Sequence, residues 1–192
     1  MNLIAFRQIL EVPAEQAAPR LLGCYLVREI DGRRLVGRVV ETEAYDQSDA
    51  ASHSYRGETP RTGVMFGHPG HLYVYFTYGM HYCCNIVTGT KGHGSAVLIR
   101  ALEPLEGQEV MALNRQGRGG HELANGPAKL CQAFGIDKAW NGHDLNRPPL
   151  QLIINRPVPA ADIIQTTRIG ISRAKHVPWR FYIKNNPYVS RV

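Results

Sequence analysis

The stretch Glu41-Thr42-Glu43-Ala44-Tyr45 sets two carboxylates two residues apart and a tyrosine two residues further on, behind the apolar lead-in Leu35–Val40. In an extended segment side chains alternate faces. Glu41, Glu43 and Tyr45 then share one side, and Val40, Thr42 and Ala44 the other. Successive members of the triplet lie ~6.5–7 Å apart, close enough to line one pocket. An ionisable pair and a flat ring on one wall suit acid–base work on a stacked planar substrate. The same alternation also describes the exposed face of an ordinary strand, so the rest of the chain has to decide.

Other residues bear on that choice. His53 lies in a polar loop, Asp46–Thr62, and is the histidine nearest in sequence to the carboxylates, although a lone loop histidine is ordinarily just solvated. Tyr73, Tyr75 and Thr77 share one face of a strand, where aromatic residues are ordinarily core. Tyr78 adjoins Gly79 and Met80 at a hairpin tip, a position that favours Gly, Asn and Asp over a large ring. Arg100 interrupts an apolar strand and needs a partner or a phosphate if buried. Gly126-Pro127 opens a helix with Lys129 close by, an arrangement suited to an anion. His68-Pro69-Gly70-His71 reads as a turn and not as a metal-binding helix. Gly89–Gly94 has the wrong glycine order for a dinucleotide site.

The elements that position these residues follow from turn and period signals. Pro13 starts a short helix, with Pro19 kinking it before Gly23. Cys24–Ile30 and Arg33–Ala44 form a hairpin through Asp31-Gly32, so the carboxylate strand is its second arm. His71–Thr77 and His81–Val87 form a second hairpin through Tyr78-Gly79-Met80. Ser95–Leu102 is a strand, Pro104–Arg115 a helix, and Pro127–Phe134 another helix stopped by Gly135. Asn141–Pro149 is loop; Leu150–Asn155, Arg168–Ser172 and Trp179–Lys184 are short strands; Asn185–Val192 is a tail. No repeat or linker divides the chain. The expectation is one α+β domain over 1–192, a mixed fold with a curved, largely antiparallel sheet and a protruding hairpin flanked by short helices.

Composition narrows the classes. A chain of 192 residues has room for a substantial core. Charged residues make up 20%, which argues against a disordered chain. The net charge of +6 and pI near 9.3 permit a polyanionic partner without requiring one. The four cysteines, Cys24, Cys83, Cys84 and Cys131, contain no C-x-x-C pair and are expected as buried apolar side chains in a reducing cytosol. The N-terminus lacks the parts of a secretory signal, and no apolar run reaches membrane-spanning length. A cytoplasmic location is expected.

The strings GRVVETEAY, AASHSYRGETPR, MFGHPGHLYVYFTYGMHYCCNI, VLIRALEPLEG, NGPAKLCQAFGI and WRFYIKNNPYVS, in this order along nearly the whole chain, resemble the alkyladenine (3-methyladenine) DNA glycosylase family. The chain lacks the long N-terminal extension of vertebrate members and is shortened around Asn141–Pro149, like a compact bacterial member. The resemblance implies a monofunctional enzyme, expected as a monomer, that hydrolyses the bond between a damaged purine and its deoxyribose in double-stranded DNA, with no metal or nucleotide cofactor. It implies Glu43 as the catalytic group that activates water. It makes Tyr45, His53 and Tyr75 the walls around an extruded base, and Tyr78 the wedge entering the minor groove. Met80 would lie on DNA beside it, Asn85 at the pocket edge, and Arg100 among the catalytic surroundings. The Glu43–His53 segment is one residue shorter than in vertebrate members, so the carry-over is thinnest around Ala51–His53. Two other classes fit parts of the pattern. A nucleic-acid-binding module would use the charge and Tyr78 but not Glu43, and a different glycoside hydrolase would use paired carboxylates but not the wedge.

Overall fold

A computed structural model describes residues 3–190. Two helices, α1 (Leu3–Leu10) and α2 (Ala14–Leu21), precede the hairpin of β1 (Tyr25–Ile30) and β2 (Arg33–Asp46). A second hairpin, β3 (Leu72–Thr77) and β4 (His81–Val87), is followed by β5 (Ser95–Glu106), α3 (Gln108–Asn114) and α4 (Pro127–Ala133). Three short strands close the fold: β6 (Leu150–Ile153), β7 (Ile163–Thr166) and β8 (Arg180–Ile183). The sheet runs β3-β4-β5-β2-β1-β6, with β8 joining the far half of β2 and β7 flanking β8. Every one of these pairings is antiparallel. The expected mixed fold with a curved antiparallel sheet is what the chain forms.

The first hairpin turns where its sequence demands. Asp31 and Gly32 have φ of 49° and 74°, the pair of left-handed residues that matches the right-handed twist of the arms. Between Val39 and Thr42 the register of β2 against β5 slips, which marks a β-bulge around Val40. Before it, Leu35 and Val39 join the core; after it, Ala44 does, and Thr42 Oγ1 donates to the Ala18 carbonyl of α2 at 3.0 Å. The helix-facing positions thus pass from odd to even numbers across the bulge. Strict alternation from Leu35 would have driven Glu41, Glu43 and Tyr45 into the helix-side core. The expected grouping of Val40 with Thr42 and Ala44 breaks at this extra residue, while the grouping of Glu41, Glu43 and Tyr45 survives because it begins beyond it. A bulge also bends its strand, and here β2 leaves β1 and takes up β8 at Glu41–Glu43.

The core lies on the helix side, where Leu10, Leu21, Leu72, Ile86, Ile99 and Phe134 are fully buried or nearly so. The other face, carrying Tyr73, Tyr75, Cys83, Leu98 and Arg100, curls around a cleft, backed by a smaller cluster of Met65, Phe66, Tyr73, Val87 and Ala96. All four cysteines are buried and free.

Three local expectations fail. The helix expected from Pro104 begins at Gln108, because β5 stays paired with β2 as far as Glu106 opposite Val36. Pro104 is accommodated opposite Gly37, beside an irregularity in the ladder, and Gly107 makes the turn at φ 75°. Arg168–Ser172 is not a strand; the strand is β7, and Gly170 at φ 76° breaks the extended run. The tail beyond Asn185 is packed as far as Ser190, with Val189 buried, while its last two residues lie outside the described ones.

Candidate active site

The concave face encloses a cleft of about 530 Å³, within the range usual for small-molecule sites. Glu43, Tyr45, His53, Tyr75, Tyr78, Asn85 and Arg100 all line it, so seven of the nine residues singled out from the sequence converge on one cavity. The two others do not enter it. Met80 projects from the hairpin tip, 69% exposed. Lys129 is held at the surface by Glu122 Oε1 at 2.9 Å and Asn125 Oδ1 at 2.8 Å, so its charge is already answered within the fold.

Glu43 is fully buried and ringed by donors. Tyr45 donates its hydroxyl to Oε2 at 2.8 Å, and the Ile169 N–H donates to Oε1 at 2.8 Å. Arg100 Nη1 lies 3.2 Å from Oε1. Burial, reinforced by Glu43, pushes the Tyr45 phenol far above its ordinary value, so the ring keeps its proton and acts as a donor. Burial opposes the charge of Arg100, but Glu43 and then Glu41 raise its pKa nonetheless.

Glu41 does a different job. It does not line the cleft. Its oxygens accept from Arg100 Nε at 3.0 Å, Arg180 Nε at 2.7 Å, the Ser190 hydroxyl at 3.0 Å and the Ser190 N–H at 2.7 Å. The paired carboxylates of the general glycoside-hydrolase alternative are therefore absent from the cavity wall. Buried charges in such an array cost several kcal/mol each to desolvate and persist only through pairing.

The aromatic walls come from three elements. Tyr73 and Tyr75 stack at 5.7 Å on β3, and the His53 ring meets Tyr75 edge-on at 4.6 Å. His53 Nδ1 lies 3.1 Å from the Tyr73 hydroxyl. The loop carrying His53 is built: Ser54 Oγ donates to the Gly94 carbonyl at 2.9 Å, and Asp49 forms a buried ion pair with Arg168. Burial of the ring, followed by the charge of Arg61, lowers the His53 pKa. The Tyr75 phenol is raised by burial and by Cys83, and Cys83 itself is pushed up to about 11, chiefly by burial, so the thiol stays protonated. Asn85 Nδ2 donates to the Tyr73 carbonyl at 3.2 Å, which fixes its amide against the cavity wall.

Tyr78 is 82% exposed on left-handed backbone with φ 50°. For a residue of this size that conformation costs ~1–2 kcal/mol. The fold thus holds a large ring out in water at the rim of the cleft on unfavourable backbone, a placement that packing does not explain.

Sequence reasoning missed the segment Ile169–Arg173, which supplies one wall and the Ile169 N–H on Glu43. Arg168 anchors it: Nη1 donates to the Ala44 carbonyl at 2.9 Å, Nη2 donates to Asp49 Oδ1 at 3.0 Å, and the guanidinium lies 4.8 Å from the Tyr45 ring centroid. The signal was present in Gly170 between two isoleucines with arginines on either side, a pattern of a looped and not an extended segment. Among the described residues, no group of three or more His, Cys, Asp or Glu side chains could hold a metal ion, and no helix is long and apolar enough to cross a membrane.

One buried carboxylate under an arginine, facing aromatic walls and an exposed ring, makes a site for hydrolysis around a flat group. Residues 8–187 match the family model for methylpurine-DNA glycosylase, and the chain belongs to that family of N-glycosylase enzymes. Relatives carrying the name "Putative 3-methyladenine DNA glycosylase" cover nearly the full length. One from Carboxydothermus hydrogenoformans is 57% identical over 175 residues, 91% of this chain and 92% of its own. One from Methanoculleus marisnigri is 50% identical over 177 residues, again 91% and 92%. One from Francisella tularensis is 48% identical over 186 residues, 95% and 96%.

Proposed function

We propose that this protein is a monofunctional glycosylase that extrudes alkylated or deaminated purines from double-stranded DNA into the cleft and hydrolyses the N-glycosidic bond. The substrate class is that of 3-methyladenine, 7-methylguanine, hypoxanthine and ethenoadenine, and the enzyme acts as a monomer from the minor groove. The observation that carries the reading is the Glu43 carboxylate, fixed by three donors at the wall of an aromatic cavity whose rim bears Tyr78. A base inside a duplex is out of reach, and rotating it out costs a few kcal/mol, least for damaged or badly paired bases. Stacking contributes roughly 1–3 kcal/mol per base, enough to offset that cost. Tyr45, His53 and Tyr75 provide the stacking surfaces. Tyr78, with Met80 beside it, fills the gap left in the duplex.

Chemistry then needs little. The bond between C1′ and the purine nitrogen breaks with both electrons leaving on the base, and the sugar becomes cationic. Glu43 stabilises that charge and takes a proton from the water whose oxygen bonds to C1′. Arg100 and the Ile169 N–H hold the carboxylate, and the product is an abasic site. The test is to incubate the purified protein with a methylated duplex and quantify released bases together with heat-labile strand breaks. Free methylpurines with breaks appearing only after heating are expected. No release from methylated DNA would leave a binding module.

Two further expectations concern selectivity. Guanine differs from hypoxanthine by its exocyclic 2-amino group, which Asn85 is placed to crowd. Losses from such a mismatch are ~1–3 kcal/mol. Asn85→Ala or Asn85→Ser should therefore raise the ratio of guanine to hypoxanthine excision, read by single-turnover assays on matched oligonucleotides. An unchanged or lower ratio makes Asn85 a packing residue. The second concerns His53, whose folded pKa is depressed below the ordinary 6.5. The unfolded chain takes up this proton first as pH falls, so the stability linked to His53 is present above 6.5 and lost below it. Protonation also places a cation on the pocket wall. Excision of cationic methylpurines relative to neutral hypoxanthine should fall as pH drops below 6.5, and should stay flat in His53→Gln. A flat wild-type ratio removes His53 from contact with the base.

A further inference from the structure

Behind the cleft lies a second, wholly buried tier of charge that does not touch the cavity. Arg100 is its pivot. Nη1 faces Glu43 Oε1 at 3.2 Å, Nε donates to Glu41 Oε1 at 3.0 Å, and Nη2 donates to the Ser190 hydroxyl at 3.2 Å. One guanidinium therefore bridges a carboxylate inside the site and a carboxylate outside it. Glu41 is itself gripped by Arg180 Nε from β8 and by both the N–H and the hydroxyl of Ser190. Its side chain is fully buried and that of Arg100 is 8% exposed, so water does not compete for these contacts.

We propose that Glu41 and the C-terminal Ser190 form a positioning device for Arg100, fixing the angle at which its guanidinium meets Glu43. A planar fork can satisfy two carboxylates at once only in one orientation. Without Glu41, Arg100 has one carboxylate left and rotates onto Glu43, displacing the carboxylate from where a water must sit. The last ordered turn of the chain thus belongs to the working site, although Ser190 lies 147 residues beyond Glu43 and does not reach the cavity. The inference rests on the reading of Glu43 as the water-activating group.

The test is a double-mutant cycle. Glu41→Gln and Arg100→Lys are made singly and together, and the single-turnover excision rate per active site is measured beside the dissociation constant for lesion duplex. Lysine keeps the charge but offers no fork, so in that background Glu41 has nothing to orient. Glu41→Gln should slow excision by about 10- to 100-fold, the scale of a small misplacement, with lesion binding unchanged. In the Arg100→Lys background the same change should alter the rate by no more than about twofold. Glu41→Asp should recover much of the rate, since it restores a carboxylate. Equal losses in both backgrounds, or a loss that tracks binding, overturn the proposal.

Removing one buried charge can prevent folding. In that case Ser190→Ala carries the cycle, because it leaves every buried charge paired. It should slow excision several-fold beside Arg100 and have no effect beside Arg100→Lys; equal effects overturn the proposal. Wild-type protein that releases no base, or Glu43→Gln that excises at the wild-type rate, defeats the functional reading and this inference with it. Multiplicative losses with those controls intact defeat the inference alone.

Discussion

Glu43→Gln should lower single-turnover excision by about 10²–10⁴-fold, the usual worth of a positioned base, while lesion duplex still binds near the wild-type level. The amide keeps the size and one carbonyl acceptor but cannot take a proton from water. Its effect is the cleanest of those expected because Glu43 is held by contacts that an amide partly retains. Oε1 accepts from the Ile169 N–H, and that acceptor survives if the amide nitrogen is turned away. The Tyr45 hydroxyl then faces an NH₂ group at the place where it now donates to Oε2, and can reverse its bond to accept. The measurement is a time course of abasic-site formation on a duplex with one defined lesion, alongside a gel-shift isotherm. Excision at the wild-type rate would remove Glu43 from the mechanism. Weakened binding in parallel with the rate would mean the carboxylate serves the pocket's shape and not its chemistry.

Tyr78→Ala should produce the second large effect, and on a different step. The ring contacts nothing it could stabilise in the free protein, where it stands 82% exposed on backbone with φ 50°. Its loss should therefore leave the folded state as stable as before. In the complex it would fill the space left by the extruded nucleotide. Loss of that stacking, roughly 1–3 kcal/mol, corresponds to about a 5- to 150-fold drop in the population of the flipped state. A fluorescent purine analogue at the lesion position reports flipping directly. Equal fluorescence changes in the two proteins would end the wedge assignment, whatever happened to affinity. Binding to undamaged duplex, governed by phosphate charge, should change far less.

The parts of this fold that could be read in the sequence are those governed by local chemistry. Asp31-Gly32 specified the first hairpin because two left-handed residues in succession permit few alternatives. Period-two alternation put Tyr73, Tyr75 and Thr77 on one face and Glu43 with Tyr45 on another. What escaped was set by partners distant in the chain. Pro104 looked like a helix start because its missing N–H suits one, but the ladder between β2 and β5 held it as strand up to Glu106 opposite Val36. Arg168–Ser172 looked extended because Ile169 and Ile171 alternate with smaller or polar residues. The ion pair from Arg168 back to Asp49, 119 residues away, pins it as a loop. Lys129 matched the pattern of an anion site, and Glu122 claims it. The cleft residues on strands were legible, while the loop wall and the Ser190 contact were not, since nothing local requires them.

The bulge at Val40 bears on how this chain can tolerate change in length. A strand elsewhere in the sheet would absorb the loss of one residue by a slip in register and some damage to packing. Loss of a residue at Val40 would instead exchange the two faces of everything that follows it in β2. Thr42 and Ala44 would turn toward the cleft, and Glu41, Glu43 and Tyr45 toward Ala18 and the helix side, though no residue type had been altered. Arg100 and Arg180 would face small apolar side chains, and two carboxylates would face a dry core. Length at this point is as much a part of the active site as the identity of Glu43, and a one-codon deletion here should be as damaging as replacing the carboxylate.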